Sequence, residues 1–321
     1  MENVKSAKVG ILAASPLTKQ GSLWRRIVKN RELYLIILPV IIYYILFHYK
    51  PMYGLIIAFQ DFSPRKGISG SAWVGFENFM TFFKSIYFGR IISNTLTISL
   101  STLIFGFPAP ILLALFINEL RSKLYSRFVQ TITYMPHFIS LVVICAMIRE
   151  FVKSDGFITE LMVTFFGYDG KDMLSKANTF VPIYVISNIW QGVGWGSIIY
   201  LAALTAIDPQ LYEAAKVDGA NTRWQQTIHI TLPCLLPTII IMFIMRMGQM
   251  MSIGHEKIIL LYNEGIYSTA DVISTYVYRM GLVNRQYSFS AAVGLFNSII
   301  NFTLVILANR LSKKFSETSL W

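Results

Sequence analysis

A few polar and aromatic side chains lie inside long apolar stretches of this chain. Asn188, Gln191, Gln249 and Asn297 each carry an amide donor and an amide acceptor there, which equips them to trade hydrogen bonds with a polar solute or with a neighbouring helix. Trp190 and Trp195 flank Gln191 in "SNIWQGVGWGS" (187–197), and an indole offers a broad apolar face with one polar edge. Arg246 adds a permanent positive charge about 21 Å along an apolar helix from Leu232. A charge at that depth needs water, a partner or the interface. It either faces a pathway or serves as a structural ion pair or snorkelling arginine. The other residues have packing alternatives too. Gly192 and Gly196 form a GxxxG face for close helix approach, tryptophans anchor at membrane interfaces, and Asn297 and Asn301, four apart, suit interhelical bonding.

Other chemistry is missing. There is no GxxxxGK[ST] phosphate loop, no GxSxG elbow and no HExxH pair. The four histidines are scattered, and Cys145 and Cys234 sit in or beside apolar runs as small hydrophobes, so no metal or cofactor site is expected. Glu119 and Glu150 fall at the ends of apolar runs rather than inside them. Ion-coupled carriers commonly rely on buried acids, so such a carrier is the weaker alternative. If solute moves actively, the energy source belongs to another polypeptide.

These residues need apolar helices to position them. The chain is 54% hydrophobic and only 14% charged, with mean hydropathy +0.53, against about 25% charge in a soluble domain. Six runs are long enough to span a bilayer: roughly 33–49, 91–118, 128–149, 180–206, 232–252 and 288–310. The expected fold is an all-α polytopic membrane protein. Lys and Arg are denser in 1–32, 119–127, 207–231 and the tail from Arg310 than in 50–90, 150–179 and 253–287, which places both termini in the cytoplasm. The net charge of +11 is read as topological, not as a nucleic-acid footprint. The basic segment 1–32 is expected to be an uncleaved cytoplasmic tail, 33–310 the membrane domain and 311–321 a cytoplasmic tail. Gly106, Pro108, Pro110, Pro136, Pro233 and Pro237 interrupt the runs, as bent transporter helices or ordinary kinks. The aromatic, amphipathic "SAWVGFENFMTFF" (71–83) suits the membrane–water interface and contact with lipid.

One cytoplasmic loop is compact and closely punctuated: "DPQLYEAAKVDGANTRWQ" (208–225). Asp208 is a good N-cap, Pro209 suits the first turn, and Gly219 can take the left-handed stop. The spacing predicts a helix over 209–217, with Asn221 or Thr222 capping the next one. Such a helix either fits a partner's socket or rests on headgroups.

Residues 213–233, "EAAKVDGANTRWQQTIHITLP", resemble the EAA loop of permease subunits in bacterial ABC importers. Glu213, Ala214, Ala215 and Gly219 match that pattern, as do Ile230, Leu232 and Pro233 among themselves. Ten residues rather than nine separate Gly219 from Ile230, a surplus expected to be absorbed as loop in "NTRW". The stretches "LYLIILPVIIYYILFHYKPMYGLIIAFQDF", "WVGFENF" and "ETSLW" are similar to carbohydrate-importer permeases, especially the oligosaccharide and polysaccharide subgroup that includes alginate importers.

The resemblance implies a permease fold with six transmembrane helices in the bacterial inner membrane, working by alternating access. Its coupling helix, with Glu213, Ala214, Ala215, Asp218 and Gly219, would dock in a cytoplasmic ATPase. It also implies a second permease (a copy or a paralogue), two ATP-binding subunits that hold the ATP and magnesium, and an extracytoplasmic solute-binding protein. In that setting Asn188 and Gln191 would bond sugar hydroxyls, Trp190 and Trp195 would stack on sugar faces, and Arg246 would attract an acidic sugar. Asp271, Tyr276, Tyr278 and Arg279 would dock the binding protein or line the outer opening.

Overall fold

A computed structural model describes residues 30–315, 319 and 320; the basic segment up to residue 29 lies outside them. The chain forms two compact units, one ending at Gly54 and the other running from Leu55.

The first unit holds α1 (Arg31–Tyr44). The helix continues through a π turn, and the whole stretch Arg31–Phe59 is long and apolar enough to cross a membrane. Along it Tyr44 stacks on His48, and Tyr43 contacts Phe47 and the edge of His48.

In the second unit a short antiparallel pair, β1 (Gln60–Asp61) and β2 (Ala72–Trp73), precedes α2 (Glu77–Lys84). Asn78 donates to the carbonyls of Ala58 and Gln60 and fastens α2 to this pair. The aromatic stretch expected at an interface is thus an ordered elbow, with Phe59 packed on Trp73, Phe76 and Phe79.

The second apolar run becomes α3 (Phe88–Ser101) and α4 (Pro108–Asn118), joined through a π turn at Thr102–Gly106. Its glycine and prolines fall in this seam, where backbone hydrogen bonds are already rearranged. The third run is not one straight helix. Lys123–Phe138 and Leu141–Phe166 meet at 101°. Pro136 supplies no backbone donor, and the Ser140 hydroxyl accepts from Val143 N to start a new helix. The pieces are α5 (Lys123–Tyr134), α6 (Leu141–Val152) and α7 (Phe157–Phe166).

The fourth run is α8 (Ala177–Thr205). Its 29 residues reach about 43 Å, although Asn188, Gln191 and several glycines dilute its apolarity. Then come α9 (Pro209–Val217), α10 (Arg223–Gln226) and α11 (Leu232–Met247). The last two join through a π turn at Thr227–Thr231 into one apolar stretch, Arg223–Met247. Beyond it lie α12 (His255–Leu261), α13 (Ile273–Tyr278) and α14 (Tyr287–Phe315). The helix α14 runs on past the expected start of the C-terminal tail at 311.

The largest apolar core joins α6, α8 and α12 through Ile144, Cys145, Ile148, Phe180, Tyr184 and Ile258. A second core packs Phe82, Ile91, Tyr276 and Val293. A third joins α4, α8 and α11 through Ala114, Tyr200, Leu204 and Leu235. The long helix α8 is therefore the common wall of two cores.

Candidate functional site: a polar cavity and a capped helix

Two concavities stand out, one inside the helical body and one beside α9. The inner cavity, about 640 Å³, lies between α3, α8 and α11. It gathers Asn188, Gln191, Arg246 and Gln249, four of the candidate residues read from separate helices. Ser99, His137 and Tyr184 also line it. No Asp or Glu is found among its lining residues.

The other candidates sit elsewhere. Trp190 is exposed, off the cavity wall. Trp195 is exposed too, and its indole lies flat on His137, with ring centroids 4.5 Å apart and planes 4° from parallel. Trp195 is outside the lining, whereas His137 is part of it. Asn297 is half-buried outside the lining, and its Oδ1 has no hydrogen-bond partner. Its neighbour Asn301 accepts from Met251 N and donates to Ser252, so it closes the chain after α11.

The glycine face of α8 has two functions. An added Cβ at Gly196 would meet Pro110 at 3.0 Å, and one at Gly194 would run into the Thr133 carbonyl. These glycines let α4 and α5 close on α8. Gly192 instead has open space around it and lines the cavity. Both glycines of the GxxxG pair thus line the cavity, and Gly196 also packs on Pro110.

One cavity-side feature carried no signal in the chain's residue pattern. Lys257 on α12 is only 4% exposed, and its Nζ donates to Asn188 Oδ1 at 2.7 Å. The same ammonium lies 5.5 Å from the Tyr184 ring centroid. Burial pushes it down to about 8, which still leaves it mostly charged at neutral pH. A lysine in "HEKIILL" reads as a solvated helix face; only the tertiary packing of α12 on α6 shows otherwise.

Asp271, between α12 and α13, is fully buried. It takes a two-pronged bond from Arg279 at 2.7 and 3.2 Å and one from the Thr275 hydroxyl, with Arg90 at 3.7 Å. Asn94 of α3 donates to its carbonyl. Asp271 and Tyr276, expected to face a partner or an opening, are instead interior groups, and Asp271 fastens this segment to α3.

The helix α9 has the predicted bounds, Pro209–Val217. Asp208 Oδ1 accepts from Gln210 N at 2.9 Å, and Gly219 turns left-handed at φ 93°, with Ala220 N reaching back to the Ala215 carbonyl. Glu213, Ala214, Asp218 and Gly219 are exposed, and Ala215 is half-buried. Leu211, Ala214, Ala215, Gly219 and His229 border the second concavity, also about 640 Å³. Two contacts hold the loop to the body. The hydroxyls of Tyr212 and Thr231 meet at 3.0 Å, and Arg223 pairs with Glu119 while also donating to its carbonyl at 2.9 Å.

After Gly219 the chain runs as loop through Asn221 and Thr222 before α10 begins at Arg223. Thr222 and Gln225 form a capping box that closes this corner tightly. A π turn follows at Thr227–Thr231, a turn type that holds one extra residue without ending the helix.

Residues 106–317 match the family described as binding-protein-dependent transport system inner membrane component. The chain is 43% identical to the polygalacturonan/rhamnogalacturonan transport system permease protein YteP of Bacillus subtilis (strain 168), covering 94% of both chains. It is 41% identical to protein LplB of the same organism, covering 94% of this chain and 95% of that one. Two solved structures superpose on it. One is a bacterial alginate ABC transporter in complex with an alginate pentasaccharide-bound periplasmic protein (45% identity, TM-score 0.84, 93% of this chain and 99% of that one). The other is a bacterial ABC transporter involved in the import of the acidic polysaccharide alginate (47% identity, TM-score 0.82, 91% and 98%).

Proposed function

The chain belongs to the family of binding-protein-dependent transport inner membrane components and is the permease subunit of a sugar ABC importer; from that premise we propose that it passes an acidic oligosaccharide through the cavity between α3, α8 and α11. The observation that carries this reading is the lining of that cavity: amides and hydroxyls around the Arg246 guanidinium, with no carboxylate among the lining residues. Asn188, Gln191 and Gln249 exchange hydrogen bonds with sugar hydroxyls, and Arg246 attracts the sugar carboxylate through a charge-assisted bond. The YteP and alginate-transporter relatives, whose names specify acidic polymers, support the same substrate class.

The chain itself is not an enzyme; its family is a transport component. The exposed, doubly capped α9 is the coupling element in this reading, with Glu213, Ala214, Ala215, Asp218 and Gly219 seated in an ATP-binding partner. Two such partners hold the ATP and magnesium, a second permease completes the pathway, and a solute-binding protein delivers sugar from outside. Both termini then lie in the cytoplasm. ATP-driven closure moves α9, and α10, continuous with α11, carries that movement to the cavity wall. An ion-coupled carrier finds no support in the family.

The test is uptake by the assembled complex in vesicles, with its binding protein saturated by a galacturonate trimer. Arg246→Ala is expected to lower uptake about tenfold while ATP hydrolysis stimulated by loaded binding protein persists. Unchanged uptake would remove Arg246 from the pathway.

A further inference from the structure

The ammonium of Lys257 is a buried charge without an ion pair among the described residues. It is 4% exposed, and its bond from Nζ goes to the neutral Asn188 amide. No carboxylate among the described residues pairs with it. Buried charges are ordinarily paired, because an uncompensated one is costly. The chain does supply such pairing elsewhere, where Asp271 is gripped by Arg279 with Arg90 alongside. The missing counter-charge at Lys257 is therefore a local feature.

Its position gives that feature a direction. Asn188, which accepts the lysine bond, lines the cavity that also contains Arg246. Ile253 and Gly254, just before α12, line the same cavity. With Oδ1 committed to Lys257, Asn188 keeps its amide N–H groups as donors. The lysine thus fixes which end of the amide donates, toward Tyr184 and the cavity, and adds a second positive charge behind the wall.

We propose that Lys257 is a specificity-determining positioning residue, which orients Asn188 as a donor and supplies, with Arg246, the positive field that selects a carboxylate-bearing sugar. This rests on the acidic-oligosaccharide reading above. Lys257 acts through Asn188 and through its field, without touching the sugar.

The experiment uses the full reconstituted complex, with the binding protein saturated in turn by a galacturonate trimer and by its methyl ester. Uptake is read as the ratio of acid to ester. Asn188→Asp places a carboxylate where Lys257 already donates, so it neutralises the lysine inside the fold and the complex should melt no lower than wild type. The acid-to-ester ratio is expected to fall at least tenfold in Asn188→Asp and in Lys257→Met, and to return to near wild type in Lys257→Arg. A structural role alone would leave Lys257→Met with an unchanged ratio, which would overturn the proposal. If Lys257→Met fails to assemble, Lys257→Gln, which keeps a donor for Asn188 but removes the charge, decides by the same criterion. A wild-type complex that takes up acid and ester equally overturns the acidic-substrate reading, and the proposal with it. A wild type that prefers the acid, with unchanged ratios in the variants, overturns the role of Lys257 alone.

Discussion

At the scale of single residues, small side chains decide how close the helices around α8 can come. At Gly194 any Cβ collides with the Thr133 carbonyl, and backbone cannot swing aside as a flexible side chain would. Gly194→Ala should cost about 1–3 kcal/mol through overpacking, read as a lower melting temperature of the detergent-solubilised complex; an unchanged melt would show that α5 moves away freely. The neighbouring Gly192 faces open space, so the same alanine there should leave the melt unchanged. The residues "GVGWG" identify close packing as a possibility, since glycine spacing is local information. They do not say which glycine touches a neighbour, because that depends on where Pro110 and Thr133 arrive from distant parts of the chain. Lys257 was hidden for the same reason: burial of a lysine is set by what packs over it, not by its own helix.

At the scale of elements, α9 was fully legible and the helix after it was not. Caps and stops act within a few residues, so Asp208, Pro209 and Gly219 specify Pro209–Val217 by themselves. Asp208→Ala removes the bond to Gln210 N and should cost about 1 kcal/mol of helix stability, seen as faster amide exchange confined to the first turn of α9. The π turn at Thr227–Thr231 escaped sequence reading because its residues are ordinary helix residues and a π turn carries no distinctive composition. Its consequence is testable. Deleting Ile228 restores an α-helical repeat and turns α10 by about 100° relative to α11. The Arg223–Glu119 pair and the Tyr212–Thr231 contact then lose register. The complex should keep its pathway but lose uptake per ATP hydrolysed; normal coupling in the deletion would show that the π turn carries no registration. The third apolar run shows the opposite balance. Pro136 marked the break, but the 101° angle is a property of how α5 and α6 pack.

At the scale of the whole molecule, the polar candidates converge only because α3, α8 and α11 meet around one space. Asn188, Gln191, Arg246 and Gln249 come from two separate apolar runs, and the fold brings them to a single wall. Hydropathy located the runs, while their mutual arrangement, and hence the exclusion of Trp190 and Asn297 from the wall, lay beyond one-dimensional pattern. The account stands or falls on whether sugar moves through that space. Gly192 lines it and has open space around an added Cβ, so Gly192→Trp projects a bulky ring from the cavity wall. Uptake of the galacturonate trimer by the reconstituted complex, measured beside ATP hydrolysis stimulated by loaded binding protein, tests this directly. The account predicts uptake below about a tenth of wild type with stimulated hydrolysis retained; uptake within about twofold of wild type would contradict it.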